Sequence, residues 1–376
     1  MTIDAAADAH DEREQASAVL GLTKSMLKRF WEKSRSAGGR TLPILESAFI
    51  SCVRPGRESL FFEFQGELRA KLRPAKGFDV RIELMEDGGT RLLIENGSEQ
   101  DEGLFVFLAL DLLEIAAKFE KEAAGVRFRL IIGRLKAWRL FMRNRSRLLS
   151  PSQELGLAGE LFFLKNCLEK GVEVGSLQSF WTGPLHGARD FAFGGETYVE
   201  VKTTTTPMPL RVRIDSLEQL DAGTANVLML CAVVMQTAEP LPEVKKPQGM
   251  RTLAQLAEDA EAVLPNDSLR EELRTLLLAA GLSDEQREAS VRLFRPESIR
   301  FFRAEILPSL TPGKMPGIVK ASYEIELFNV AGAPPAGSED AQMNAGKAWQ
   351  ILTNCGGADA FSDEDDVQAD AHETLE

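Results

Sequence analysis

The chain has 376 residues, 44% of them hydrophobic, and a formal net charge of −13, enough to bury a substantial core divided between two domains. No apolar run approaches the ~20 residues that span a bilayer, and the polar, acidic start MTIDAAADAHDEREQ is unlike a signal sequence. The four cysteines lack a C-x-x-C spacing, and two of the three histidines, His10 and His372, fall in expected tails, which argues against a zinc site or histidine chemistry and fits a reducing cytoplasm.

In chain order, residues 12–36 have helical spacing. Between 43 and 95, alternating runs such as LPILES, SLFFEFQG and FDVRIEL, separated by Gly, Pro and charged turns, predict a small antiparallel sheet. Residues 102–123 and 130–149 return to helical spacing. The stretch 126–148 contains eight Lys or Arg and no acid. Within it Lys136, Arg139, Arg143 and Arg147 recur at helical spacing, opposite a stripe of Leu135, Trp138 and Met142. Such a cationic face can follow phosphates; it can equally be a solvated face or a dock for an acidic segment, this chain's own tail included. Residues 1–149 therefore read as a β-rich plus helical accessory domain with a basic helix at its end.

The segment SPSQELGLAGELFFLKNCLEKG predicts a helix: Ser150 as N-cap, Pro151 at the first position, Gln153 completing a capping box, and Gly171 at the end. Glu160 has Gly156 and Leu157 one turn before it and Phe163 and Leu164 one turn after, so it lies on or near the packed face. A carboxylate there needs a partner. Gly156 and Gly159 each cost roughly 1 kcal/mol relative to Ala in a helix interior, which a closely approaching backbone would explain. Glu154 reads as a first-turn charge favoured by the helix dipole. Trp181-Thr182-Gly183-Pro184 reads as a turn, its tryptophan a core residue before it is a base-stacking wedge.

The run GARDFAFGGETYVEVKTTTT follows. Residues 197–204 are β-branched and aromatic, and side-chain alternation puts Tyr198, Glu200 and Lys202 on one face of a strand and Val199 and Val201 on the other. Gly194-Gly195-Glu196 supplies a tight hairpin that brings Asp190 beside Glu200. Two carboxylates a few Å apart repel unless a cation lies between them, and Mg²⁺ prefers oxygen ligands and retains waters. Such a water, acidified by the ion and close to Lys202, is a nucleophile suited to phosphodiester hydrolysis. The competing reading is an ion pair on an exposed strand. The other D/E-x-K match, Glu243-Val244-Lys245, sits between prolines without a strand pattern and reads as a solvated loop.

The order helix glutamate, strand aspartate, E-x-K strand resembles the PD-(D/E)XK nuclease superfamily. The strings GLAGELFFLK, FWTGP, RDF, VEVKTTT and DSLEQL, within residues 20–330, resemble a bacterial family of PD-(D/E)XK motif proteins found in restriction-like defence loci. That resemblance implies an α/β (α+β) fold: a restriction-endonuclease-like mixed sheet flanked by helices, preceded here by the β-rich accessory domain. It places Glu160 at the helix acid, Asp190 and Glu200 at the metal-binding acids and Lys202 at the catalytic lysine. Ala188-Arg189, not proline, precede Asp190, a departure the superfamily tolerates. Implied with it are a Mg²⁺-dependent endodeoxyribonuclease, Mn²⁺ substituting, and a cytoplasmic role in anti-phage defence or restriction. The partners would be DNA and other defence proteins such as a helicase or ATPase, with a homodimer as one way to cut both strands. The alternative is a catalytically silent nucleic-acid-binding or scaffold subunit.

Beyond the E-x-K strand, Leu210, Val212 and Ile214 alternate with Arg211 and Arg213, a strand whose cationic face could hold a phosphate backbone. Asp215 or Ser216 then caps an expected helix, on which Ser216 and Gln219 resemble the S-x-x-Q signature of related restriction-type nucleases. NVLMLCAVVM (226–235) predicts a buried strand, 252–280 and 284–292 a helical insertion, and SIRFFRAEILPSL and GIVKASYEIELFNV two further strands. The nuclease domain is thus set at 150–332. Residues 333–376, ten acids against Lys347, read as an acidic, partly disordered tail.

Overall fold

The computed structural model describes residues 21–54, 57–72, 77–97, 102–143, 149–223, 225–239, 248–282, 290–311, 313–314 and 322–358. The chain divides into two compact units, 1–145 and 146–376. No helix among the described residues is long and apolar enough to cross a membrane.

In the first unit, helix α1 (Lys24–Ser36) starts where the Thr23 hydroxyl accepts from the Met26 amide. Strands β1 (Leu42–Pro43), β2 (Ala48–Cys52), β3 (Glu58–Phe64), β4 (Phe78–Leu84) and β5 (Thr90–Asn96) form an antiparallel sheet in the order β1-β2-β3-β5-β4. Alternation puts Leu92 and Ile94 of β5 beside Ile50 and Leu60 in the core. Helices α2 (Glu102–Lys118) and α3 (Ala124–Arg143) pack together. The expected α3 stripe of Leu135, Trp138 and Met142 is buried, but so are Leu130, Ile132, Ala137 and Leu140. The helix is therefore enclosed on most sides, with Arg134 buried 3.7 Å from Asp111, which also accepts from the Trp138 indole at 2.6 Å. Lys136 and Arg139 are half-buried. The Arg143 side chain, Arg147, and the start of the expected 12–36 helix lie outside the described residues.

The second unit is built on helix α4 (Pro151–Glu169), whose Ser150–Gln153 capping box forms as expected. It is followed by the short α5 (Leu177–Phe180) and a 3₁₀ turn at Gly183–Leu185. Strands β6 (Phe191–Phe193), β7 (Thr197–Thr204), β9 (Val227–Ala238), β10 (Leu293–Arg303) and β12 (Gln342–Met343) form a mixed sheet ordered β12-β10-β9-β7-β6; β7 and β9 are parallel and the other pairs antiparallel. A ribbon of β8 (Leu210–Ile214) and β11 (Tyr323–Phe328) lies apart from that sheet's ladder. Helices α6 (Leu253–Ala262) and α7 (Asp267–Ala279) form the insertion; most of 284–292 lies outside the described residues.

Strand β9 separates two cores. Met229, Cys231, Val233 and Met235 face one, with α4, α6 and α7; Leu228, Leu230, Ala232 and Val234 face the other, with the ribbon. Burial on both faces is why its sequence is continuously apolar instead of alternating. On β7, Val199 and Val201 join the helix-side core and Tyr198 packs against the ribbon-side core. Glu200 and Lys202 therefore belong to the face the ribbon covers.

Helix α4 crosses β7 at Gly159, where an added Cβ would lie 1.8 Å from Thr203 Oγ1. Gly159 does carry a close approach, but of the Thr203 side chain and not of a backbone as predicted; a Cβ at Gly156 would meet nothing within 4 Å, so the same account fails there. Within the stretch read as an acidic tail from residue 333, α8 (Ala345–Cys355) is capped by Asn344 and buries Ala348, Trp349 and Leu352 against the sheet. Their i, i+1, i+4 spacing supplies an apolar stripe, which the surrounding acids masked. Residues 359–376 lie outside the described residues.

Candidate active site

The β6–β7 hairpin turns through Gly195 and Glu196, both at positive φ (65° and 54°), a conformation glycine adopts without penalty. Its register pairs Phe191 with Val199, so Asp190, one residue before β6, lies across from Glu200. Asp190 is locked in place: its Oδ2 accepts the Val201 amide at 2.8 Å, and its carbonyl accepts the Thr182 and Gly183 amides at 2.9 and 3.2 Å. Glu200 is 1% exposed, which excludes the exposed-strand ion pair. Lys202 Nζ stands 3.0 Å from Glu200 Oε1 and 3.4 Å from Asp215 Oδ2. Yet neither Glu200 oxygen accepts an aligned hydrogen bond from any described residue, an expensive condition for a buried carboxylate.

Glu160 reaches the same place from α4. Its Oε2 accepts the Trp181 indole N–H at 2.7 Å, and the fully buried indole stacks on Phe191, 6.1 Å between centroids and 6° between planes. A Cβ on Gly183 would fall 2.9 Å from Asp190 Oδ1 and 3.2 Å from Glu160 Oε2. Carboxyl oxygens from a helix and from a strand end thus converge on one glycine, with no room for a larger residue.

The electrostatics follow from this crowding. Burial, then Asp190, raise Glu200 to about 8 against the pull of Lys202. Burial and Asp190 also push Glu160 well above the usual carboxylate range, with the Trp181 hydrogen bond opposing. Burial raises Asp190, opposed by Lys202 and the Val201 amide. Burial disfavours the Lys202 ammonium, but Glu200, Asp190 and Asp215 outweigh it and lift the group above the ordinary lysine range. The other nearby cation is Arg189, lowered by burial; it donates to the Ala188 carbonyl at 2.9 Å and to the Asp221 carbonyl. Burial and mutual repulsion thus disfavour the ionised form at all three acids, and a further cation would relieve that cost.

Among the described residues no three His, Cys, Asp or Glu side chains surround a common metal position. The donor chemistry nevertheless fits a hard divalent ion: the ligands on offer are all carboxylate oxygens, and Glu200 Oε2 accepts no hydrogen bond from the described residues. Asp190, Glu200 and Glu160 are the residues that would hold it.

The flanking predictions fare differently. Arg211 and Arg213 project from the exposed face of β8, but Arg211 forms a two-nitrogen contact with Glu326 at 2.9 and 2.6 Å, and Arg213 contacts Asp215 at 3.0 Å and Ser322 at 3.3 Å. The helix expected from Asp215 or Ser216 is a bend and turn instead. Its six residues run directly into Asp221-Ala222-Gly223, which are not helical either. Gln219 folds back so that its Oε1 accepts the Asp215 amide at 2.8 Å, which removes the helical frame on which the S-x-x-Q resemblance rested; Ser216 keeps its place in that turn. Glu154 stands in the first turn of α4 as read, and there it also accepts from Ser290 at 2.6 Å and pairs with Arg292 at 3.0 Å. The Glu243-Val244-Lys245 control lies outside the described residues.

Sequence reasoning missed Trp181 as the partner of Glu160, Gly183 as the floor of the acid cluster, and Asp215 as a second carboxylate on Lys202. The FWTGP string held the first two, but nothing local to it points at a residue 21 positions earlier.

A family model described as "Putative PD-(D/E)XK family member, (DUF4420)" matches residues 41–328. No curated protein and no solved structure matches significantly. The matched span includes Glu160, Asp190, Glu200 and Lys202, and the mixed α+β architecture agrees with it: the chain belongs to the DUF4420 family, with a PD-(D/E)XK-like, nuclease-type fold.

Proposed function

We propose that the protein is a divalent-metal-dependent endonuclease that hydrolyses DNA phosphodiester bonds. The observation that carries this reading is the meeting of Glu160 and Asp190 at Gly183, with the buried Glu200 across from Asp190 and Lys202 beside it. Asp190 and Glu200 hold Mg²⁺, or Mn²⁺ in its place, and Glu160 assists directly or through water. A bound ion of this kind supplies a water of lowered pKa and neutralises charge on the phosphate. Lys202 is not the base: its neighbours keep it protonated, so it orients the attacking water and stabilises charge developing on phosphorus. The Trp181 hydrogen bond aims Glu160, and Gly183 leaves the space between the acids open.

Arg211 and Arg213 contact the phosphate backbone once it displaces Glu326 and Asp215, while Ser216 and Gln219 shape the turn beside Lys202. Lys136, Arg139, Arg143 and Arg147 add a sequence-independent electrostatic contribution. The family resemblance supports anti-phage defence or restriction in the cytoplasm, with a helicase or ATPase as partner and a homodimer for double-strand cutting.

The test is Mg²⁺- or Mn²⁺-dependent cleavage of plasmid and single-stranded DNA by the wild type beside Lys202→Ala and Asp190→Ala. Cleavage that persists in both variants overturns the assignment. The Lys202–Glu200 contact at 3.0 Å favours a second reading, a silent scaffold subunit in which the ammonium takes the ion's place. Calorimetry separates the two: the scaffold binds no divalent metal at any pH.

A further inference from the structure

The insertion helix α7 reaches back to the active-site segment. Glu272, on α7, is fully buried, and its Oε2 accepts three hydrogen bonds: from the Ser176 hydroxyl at 2.9 Å, the Leu177 amide at 2.6 Å and the Gln178 amide at 3.3 Å. These are the first groups of α5, whose own N-cap residue, Ser176, makes no side-chain cap. A residue about 95 positions later thus performs the capping, and the carboxylate makes the hydrogen bonds charge-assisted. One turn on, Trp181 is the C-cap of α5, its amide donating to the Leu177 carbonyl at 2.7 Å. The Trp181 indole is what holds Glu160. Helix α7 also packs against the Gly183–Leu185 turn, and Gly183 borders both Asp190 and Glu160.

We infer that Glu272 is a positioning residue for the acid cluster: by capping α5 from the insertion, it fixes the indole that aims Glu160 and steadies the turn that carries Gly183. The relay runs Glu272, Leu177, Trp181, Glu160, every link a hydrogen bond or a peptide-linked turn. The insertion is thereby part of the active site's support. Glu272 does not touch the reacting groups; beside it on α7, Arg274 pairs with Glu261 at 2.6 Å and with Glu271 at 3.5 Å. The consequence for activity rests on the nuclease reading; the brace itself does not.

The experiment uses the full chain and hydrogen exchange of the tryptophan indoles, of which there are four, with the Trp181 signal assigned by its loss in Trp181→Phe. Glu272→Gln and Glu272→Ala are compared with Ile325→Ala, a core truncation in the ribbon, at denaturant concentrations that equalise the stability of the 146–376 unit. The expected result is Trp181 indole exchange faster by about tenfold or more in the Glu272 variants, the scale of losing one charge-assisted hydrogen bond, and unchanged in Ile325→Ala. Equal exchange in all three at matched stability overturns the inference; if Glu272→Ala fails to fold, Glu272→Gln decides. Mg²⁺ titration of the same samples keeps the two claims apart. Faster exchange with weakened Mg²⁺ binding supports the brace together with the metal role of Glu160, whereas faster exchange with unchanged binding supports the brace and counts against that role.

Discussion

Replacing Glu200 by Gln isolates the energetic consequence of burying this acid. Its folded value of about 8 stands some 3.5 units above the ordinary 4.5. Below about pH 4.5 the folded and unfolded states both carry the proton, so the group contributes no pH dependence. Between about 4.5 and 8 the folded state retains a proton the unfolded chain has released, and stability therefore falls as pH rises. At ~1.4 kcal/mol per unit the full loss is about 5 kcal/mol, of which about 3 kcal/mol has accrued at pH 7 and about 1 kcal/mol at pH 5. Glutamine copies the neutral form and does not titrate. Denaturant unfolding of the 146–376 unit in chelator, at half-unit steps from pH 5 to 8, should show Glu200→Gln gaining on the wild type by roughly 2 kcal/mol between pH 5 and 7. Adding Mg²⁺ at pH 8 should restore the wild type and leave the variant where it was, because the ion binds the ionised carboxylate. Parallel pH profiles for the two proteins would refute the assignment of a raised, buried acid at this position.

Gly183→Ala places a methyl group against Asp190 and Glu160 and should abolish metal-dependent cleavage while circular dichroism stays native; full activity would show that the acids do not converge there. Trp181→Phe keeps the stacking on Phe191 but removes the donor to Glu160. Since that hydrogen bond lowers the Glu160 value, its removal should raise that value further, move the pH dependence of cleavage to higher pH and cost about 1–3 kcal/mol of stability. Gly159→Val collides with Thr203 and should destabilise the unit by about 1–3 kcal/mol despite the higher helix propensity gained at a glycine, as read from the unfolding midpoint. Charge reversal at Arg143 and Arg147 should weaken DNA binding and flatten its salt dependence; identical log–log slopes would remove that segment from the interface.

Local chemistry alone determined much of this protein. The Ser150–Gln153 box, the alternation of Tyr198, Glu200 and Lys202 against Val199 and Val201, the Gly195-Glu196 turn and the uninterrupted apolar run of β9 are short-range patterns. Each depends on neighbours a few residues away, and each appears in the structure as read. Those patterns were sufficient to bring Asp190 beside Glu200 and to put Glu160 on a packed helix face. They could not say that Glu200 is buried, because the ribbon covering its face pairs β8 with a strand more than 100 residues later. Nor could they find Trp181 as the partner of Glu160, Glu272 as the cap of α5, or the turn at 215–220, where the demands of returning to β9 outweigh a locally plausible helix start. The identity of the acids is written in the strand and helix periods; their protonation, partners and room for an ion arise where distant segments exclude water together, and only the tertiary structure decides that.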